Sequence, residues 1–286
     1  MIEQKYTLHT HTHGFDGCSS PAEMINQAKS QGFEAIGISN HLIIHPEIFF
    51  TNFYPVAVAR GYDGIYNYNF RDAINKFVPH YSKLERIANS EADIKVLRGL
   101  EVDFFPSTEW EKDFKRTIKI LQPDYIIGAV HFVEYKGKLC NIHDIARAEP
   151  KDQDAMLKKY WKKLGDAAES GLFTWLAHPD LPKKLNLGTS YLDWHAYELG
   201  AAERILKSGT MVEFNTSIKD NRMITTNLRD KNIPVIISDD AHRAYQIGRD
   251  FNMADSEIGK AGNTIASLDK ILYTTKKILE NVGKRR

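Results

Sequence analysis

Tyr6-Thr7-Leu8-His9-Thr10-His11-Thr12-His13 reads as a short buried strand that runs directly into a row of imidazoles, and the same grammar recurs along the chain. The runs Ala35-Ile36-Gly37-Ile38, Ile94-Lys95-Val96-Leu97, Tyr125-Ile126-Ile127-Gly128-Ala129-Val130, Phe173-Thr174-Trp175-Leu176, Met211-Val212-Glu213-Phe214 and Val235-Ile236-Ile237 are each short, often β-branched, and bounded by Gly, Pro, Asp or Asn. Such segments read as buried strands. Between them, helical patterns cover 21–31, 70–90, 107–121, 152–170, 191–207 and 218–231. Pro21 suits a first helical turn, Thr108 with Glu111 has capping-box spacing, and Gly32, Gly171 and Gly209 stand where helices should stop.

Strands alternating with helices argue for parallel βα units. No dinucleotide or Walker glycine fingerprint follows any strand, which favours a closed barrel of the (β/α)7 kind over an open sheet. An eight-stranded barrel and an open doubly wound sheet are the alternatives. No linker rich in Pro, Gly or Ser divides the 286 residues, so one barrel domain over 1–286 is expected.

Composition narrows the function. With 42% hydrophobic and 26% charged residues, the chain is neither collagenous nor disordered. A net charge of +1 supplies no polycationic field, so no nucleic-acid partner is expected. The two cysteines, Cys18 and Cys140, cannot make a disulfide framework and suit a reducing cytoplasm. The polar N-terminal stretch lacks a signal-peptide core, and no apolar run approaches the ~20 residues of a membrane span. A soluble cytoplasmic protein is expected, with no membrane partner; its oligomeric state is not legible.

What ends each strand is the informative part. Strand one ends in His9 and His11 with Asp16 beyond; strand two ends in His41, strand three in Glu101, and strand four in His131. Strand five ends in His178 and strand seven in Asp240-Ala241-His242, while strand six ends in Asn215-Thr216-Ser217. In a parallel barrel all these ends open on one face. Side chains two apart on a strand share a side, so His9 and His11 point together, as do Asp240 and His242. Imidazole and carboxylate without thiolate suit zinc, iron or manganese.

His9-Thr10-His11-Thr12, Glu101, Gly128-Ala129-Val130-His131, Ala177-His178-Pro179 and Asp240-Ala241-His242 together resemble the polymerase and histidinol phosphatase (PHP) family of metallo-phosphoesterases. The resemblance follows nearly the whole chain in order. Within the family it is nearest to the stand-alone histidinol-phosphate phosphatases, on Gly99-Leu100-Glu101-Val102-Asp103, Val130-His131-Phe132 and Asn215-Thr216-Ser217. It implies a distorted (β/α)7 TIM-like barrel with a cluster of two to three divalent transition-metal ions. By that resemblance His9, His11, Glu101 and Asp240 would hold one metal, Glu101 with His131 and His178 a second, and Asp16, His41 and His242 a third. Some members carry histidine in the slot given to Asp16, with His13 as the competitor here. Glu101, Asp240 and His242 would be the catalytic residues. The implied reaction is hydrolysis of a small phosphate monoester, L-histidinol phosphate above all, by hydroxide activated between metals. A phosphodiesterase or exonuclease, or a phosphatase for another phosphorylated metabolite, is the alternative; an amidohydrolase and a structural metal module fit less well.

Further candidates surround these. Arg243 and Arg60 could clamp phosphate, with Lys183 and Lys184 less favoured. Glu213 shares strand parity with Asn215; both are candidate substrate contacts, and for Glu213 the favoured reading is support of a ligand histidine. Asp103 and Asp180 are alternatives for receiving a substrate ammonium. Asp239 reads as a residue that supports a ligand or shapes the turn. The aromatic connection 48–70 is either a lid or a loop that buries its own rings. His45, His80, His143 and His195 lack motif support.

Overall fold

The structure, a computed structural model, describes residues 4–185 and 194–284. Among the described residues, seven parallel strands form the wall of a barrel: Tyr6–Thr7, Ala35–Ile38, Lys95–Asp103, Tyr125–Ala129, Trp175–Leu176, Met211–Asn215 and Pro234–Ser238. Each pairs with the next in parallel register. Closure between last and first is economical. Thr10 bridges Ala241, His11 N–H donates to the Ala241 carbonyl at 2.8 Å, and the Gln4 amide bonds both the N–H and the carbonyl of Ile237 at 2.8 and 2.7 Å. This is the expected distorted (β/α)7 TIM-like barrel. The distortion lies in its first and fifth strands, each two residues long. A further short strand, Thr264–Ile265, pairs outside the last one, and His41–Ile44 runs beside the end of the third.

Glycine decides how the barrel interior fills. The Tyr125 ring stacks on Trp175 at 5.1 Å, and its hydroxyl donates to the Leu8 carbonyl at 2.5 Å. A Cβ on Gly37 would lie 2.0 Å from the Tyr125 hydroxyl, and one on Gly99 would lie 2.1 Å from its ring. Only residues without a side chain let this tyrosine cross the barrel between strands two and three. Leu8, Leu97, Ile127, Met211 and Ile236 complete the inner layer.

The helices follow the predicted pattern with corrections. Pro21–Ser30 starts on a Ser20–Glu23 capping box, and Gly32, Gly171 and Gly209 take left-handed φ of +79°, +64° and +69° after their helices. The helix Thr108–Leu121 is capped one residue earlier than the Thr108–Glu111 spacing suggested, by the Ser107 hydroxyl accepting from Trp110 N–H at 3.2 Å. Pro150–Glu169 starts two residues before its expected limit. In 191–207 the helix runs His195–Ser208; Tyr191, Leu192 and Asp193 lie outside the described residues. The expected helix 218–231 does not form. Asn221 and Asp180 capture its backbone groups, with Asn221 donating to the carbonyls of Asn215 and Ile218 and Asp180 accepting from Met223 N–H, and only a π-turn, Met223–Asn227, remains. Two further helices, Phe251–Lys260 and Leu268–Lys284, close the fold. The aromatic connection folds into short helices, Pro46–Phe50, Tyr54–Arg60 and Asp63–Ile65, with Tyr54 packed on Phe49 and Tyr66. No described helix is long and apolar enough to cross a membrane.

Candidate metal centre

Glu101 lies within strand three and is fully buried at the centre of the C-terminal barrel mouth. Its two oxygens face different groups of histidines. Oε2 lies 3.1 Å from His9 Nε2, 3.4 Å from His11 Nε2 and 2.9 Å from His41 Nδ1. Oε1 lies 2.9 Å from His178 Nε2 and 3.6 Å from His131 Nε2. Asp240 Oδ1 closes on the first group, 3.6 Å from His9 Nε2 and 3.2 Å from His11 Nε2. Asp16 gathers the third: its Oδ2 is 3.1 Å from Nε2 of both His41 and His242, and its Oδ1 is 3.5 Å from His11 Nδ1. All the residues singled out as ligands from the sequence therefore meet at one place. His13, the competitor of Asp16, is exposed at the cavity edge.

Whether these residues suit metal ions can be judged from the hydrogen bonds they lack. Buried His9 Nε2, both nitrogens of His11, His41 Nδ1, Asp16 Oδ1 and Glu101 Oε2 have no hydrogen-bond partner. A buried orphan of this kind costs about 1–3 kcal/mol. His41 Nδ1 and Glu101 Oε2 approach to 2.9 Å without forming a hydrogen bond. Donor atoms slightly over 3 Å apart form the edges of a polyhedron around an ion bound at ~2.0–2.2 Å. The donor set fits divalent transition metals.

The backbone is bent to achieve this. His178 and Asp240 adopt positive φ of 24° and 50°, strained for residues with a Cβ. The loop carrying Asp16 crosses directly over strand one, where a Cβ on Gly17 would lie 2.3 Å from the His11 carbonyl.

Behind the nitrogens facing the centre stand acceptors that orient the rings. His9 Nδ1 meets Glu213 Oε2 at 2.7 Å, His131 Nδ1 meets Asp103 Oδ2 at 2.9 Å, and His242 Nδ1 meets the Asp240 carbonyl at 3.0 Å. A carbonyl only accepts, so that nitrogen of His242 carries a proton while Nε2 faces Asp16; the carboxylates orient the rings of His9 and His131 in the same way.

Glu213 is fully buried, taken up by His9, the Trp175 indole, the His178 N–H and Asn215, which is the favoured role of holding a histidine and not the substrate contact. Asn215 is buried too, and its side-chain amide oxygen accepts from the Ser217 N–H. Asp103 and Asp180 do not face an ammonium. Asp103 grips both the backbone N–H and the ring of His131, and Asp180 pairs with Lys183. Asp239 points away, accepting from Gly248 N–H at 2.6 Å.

One positioning residue had no sequence signal. His80 Nε2 lies 3.0 Å from the Asn40 amide, and Asn40 in turn binds the Thr12 N–H at 2.8 Å, tying the segments that carry His11 and His41. Helical placement far from any motif hides such a residue.

Charge explains the protonation pattern. Burial alone would push Glu101 up, but His41 and His9 hold it well below the ordinary carboxylate range; His41 and His11 do the same to Asp16. Burial opposes a charge on His242, yet Asp16 and Asp240 raise it to about 9. The centre is a well of negative potential that draws cations, protons included.

A cavity of about 790 Å³ opens above this floor. Asp16, His41, His131, His178, Asp240 and His242 line its base, and Arg60, Arg243 and Lys184 its rim. Lys183 is engaged with Asp180 and Glu198 instead. Phe53, Tyr62 and Tyr66 from the aromatic connection form one wall, and His143 faces Phe53 with nearly parallel rings. The connection thus buries part of its aromatics and lines the cavity with the rest.

The sequence model of the PHP domain matches residues 6–217. A Deinococcus radiodurans protein named "probable histidinol-phosphatase" is 29% identical over 204 residues, 64% of this chain and 76% of that protein. Among solved structures, a histidinol phosphate phosphatase from Lactococcus lactis, in complex with zinc, L-histidinol and phosphate, superposes with a TM-score of 0.68 at 16% identity, over 94% of this chain and 98% of its own. A Listeria monocytogenes protein provisionally named a histidinol phosphatase gives 0.66 at 16% identity, over 87% and 99%. At that identity the two structures share the fold.

Proposed function

The chain belongs to the PHP domain family, and from that premise we propose that it is a metal-dependent phosphomonoesterase whose substrate is L-histidinol phosphate. The observation that carries the reading is Glu101, whose Oε2 faces His9 and His11 while its Oε1 faces His178 and His131. A carboxylate with two such faces suits the bridge between two cations. His9, His11, Glu101 and Asp240 would hold one ion, Glu101, His131 and His178 a second, and Asp16, His41 and His242 a third. Divalent ions held there would activate water and neutralise phosphoryl oxygens in an in-line displacement.

The protein's own groups do the rest. Arg243 and Arg60, on the cavity rim, clamp the phosphate oxygens that point away from the floor. Asp240 and His242 stand on the cavity wall, and the proton for the leaving oxygen would come from one of them or from water on a bound ion. The aromatic wall of Phe53, Tyr62 and His143 receives the alcohol portion, and a cavity of this size exceeds the needs of phosphate alone. The names of the Deinococcus and Lactococcus proteins support the histidinol ester as that alcohol.

Phosphate release from L-histidinol phosphate, compared with other small phosphate monoesters and with single-stranded DNA, tests the reading. The expected outcome is preference for the histidinol ester with zinc, manganese or iron supplied, and loss of activity on chelation with the far-ultraviolet circular dichroism unchanged. Full activity in exhaustively demetallated protein would overturn the metal mechanism. Nuclease activity without monoesterase activity would favour the phosphodiesterase alternative.

A further inference from the structure

Lys163 sits in the middle of the helix Pro150–Glu169, on the face it shares with Tyr160, Leu164 and Ala167. It is only 8% exposed. A lysine is almost never buried this deeply without a partner. Among the described residues, no carboxylate forms a close ion pair with it. Its Nζ instead donates to the Phe132 carbonyl at 2.8 Å and rests 4.1 Å from the Phe105 ring centroid. The strongest negative field acting on it is that of Asp103, followed by Glu134 and Asp166.

Both Phe132 and Asp103 belong to the support of His131. The carboxylate of Asp103 holds the His131 backbone N–H at 2.8 Å and its Nδ1 at 2.9 Å. The Phe132 carbonyl belongs to the next residue, and the His131 carbonyl accepts from Ile142 N–H at 2.8 Å. The ammonium therefore braces the peptide just beyond His131 while its charge faces the carboxylate that aims the His131 ring. A neutral side chain of equal length would fill the same space and do neither.

We propose that Lys163 is a positioning residue for His131, setting how tightly the Glu101–His131–His178 group binds a metal ion; this rests on the metal-centre reading above. A lysine that merely packed the helix against the barrel would contribute to stability and leave metal binding alone. The two roles separate when metal affinity and folding are measured on the same variants.

The experiment is zinc titration of demetallated protein against a chromophoric chelator, with zinc per chain counted after dialysis, for wild type, Lys163→Met, Lys163→Gln, His131→Ala and the Lys163→Met/His131→Ala double variant. In Lys163→Met, the affinity of one zinc site is expected to fall by roughly 10- to 100-fold, the range for losing a group that supports a ligand. Lys163→Gln, which keeps a donor, should recover part of it, and the double variant should lose little beyond His131→Ala alone. Wild-type zinc affinity and count in Lys163→Met, with only a lowered melting temperature, would overturn the proposal. If Lys163→Met does not fold, Lys163→Gln decides: unchanged affinity overturns, and a selective loss at one site supports. A wild-type protein that binds no zinc would sink the metal centre itself, an outcome distinct from a variant that binds as wild type does.

Discussion

Glu213 Oε2 lies 2.7 Å from Nδ1 of His9, so a fully buried carboxylate on strand six holds an imidazole on strand one whose other nitrogen faces Glu101. Two non-adjacent strands are thereby coupled through the centre, and the orientation of His9 is fixed before any ion arrives. Burial would raise the Glu213 carboxyl, but the charge of His9 overcomes it and keeps it ionised. Glu213→Gln retains the shape and weakens the grip on Nδ1. Metal affinity should fall by about 10- to 100-fold, with kcat/KM lowered in parallel. Metal analysis by mass spectrometry beside kinetics checks this; unchanged metal content and rate would make Glu213 a packing residue only.

Glu101→Gln removes the charge that two cations would share while preserving the side-chain shape. A fall in kcat/KM of roughly a thousandfold or more, about 4 kcal/mol of transition-state stabilisation, is expected, together with loss of bound metal. The barrel should remain folded by circular dichroism. Wild-type metal content with activity within about tenfold of wild type would show that Glu101 does not bridge.

Arg243→Ala and Arg60→Ala probe the rim. Each should cost about 1.5–3 kcal/mol in kcat/KM if its guanidinium holds phosphate. Arg60 also donates to the Tyr62 hydroxyl at 3.3 Å, so its loss should loosen the aromatic wall and raise KM for the histidinol ester more than for a small alkyl phosphate. Steady-state kinetics on both substrates checks it; equal effects on the two would assign Arg60 to phosphate alone.

Burial lowers the Lys163 ammonium from 10.5 to about 8. Between those values the unfolded chain holds the proton that the folded protein gives up, so stability rises with pH across that window. The contribution is present above 10.5 and is lost as pH falls through about 8. Denaturant midpoints of demetallated wild type should climb across the window relative to Lys163→Met. Parallel curves for the two proteins would refute the shift.

The barrel interior offers a test of stability apart from chemistry. Gly99→Ala drives a methyl into the Tyr125 ring and should destabilise by about 1–3 kcal/mol or more. Tyr125→Phe leaves the buried Leu8 carbonyl without its donor and should cost about 1–3 kcal/mol. Gly99→Ala should cost less in a Tyr125→Ala background than in the wild type, which urea unfolding of the wild type, both single variants and the double variant would reveal.

The strands and the candidate ligands were legible because both are local signals. Apolar runs of three to six residues mark strands, and a polar ligand within three residues of the end of such a run in a βα repeat arrives at the barrel mouth. His9, His41, His131, His178 and Asp240 all obey that rule. The helix expected at 218–231 failed because Asn221 and Asp180 take its backbone groups, a competition visible only once strands five and six are neighbours. Phe251–Lys260 and Leu268–Lys284 went unread because no strand-end motif follows them.

By itself the sequence determined that the chain builds alternating strands and helices and delivers imidazoles and carboxylates to one face, since periodicity and spacing along a strand are properties of neighbours. Tertiary structure alone decided what each delivered group does. Glu213 reads as a residue for either a ligand histidine or a substrate until the packing of strand six beside strand five brings it under His9 and Trp175. Lys163 reads as one more helical lysine until its helix covers the Phe132 carbonyl. Role depends on which atoms lie within about 3 Å, and hydrogen-bond geometry falls away steeply beyond that; contacts between residues tens or hundreds of positions apart are set only when the barrel closes.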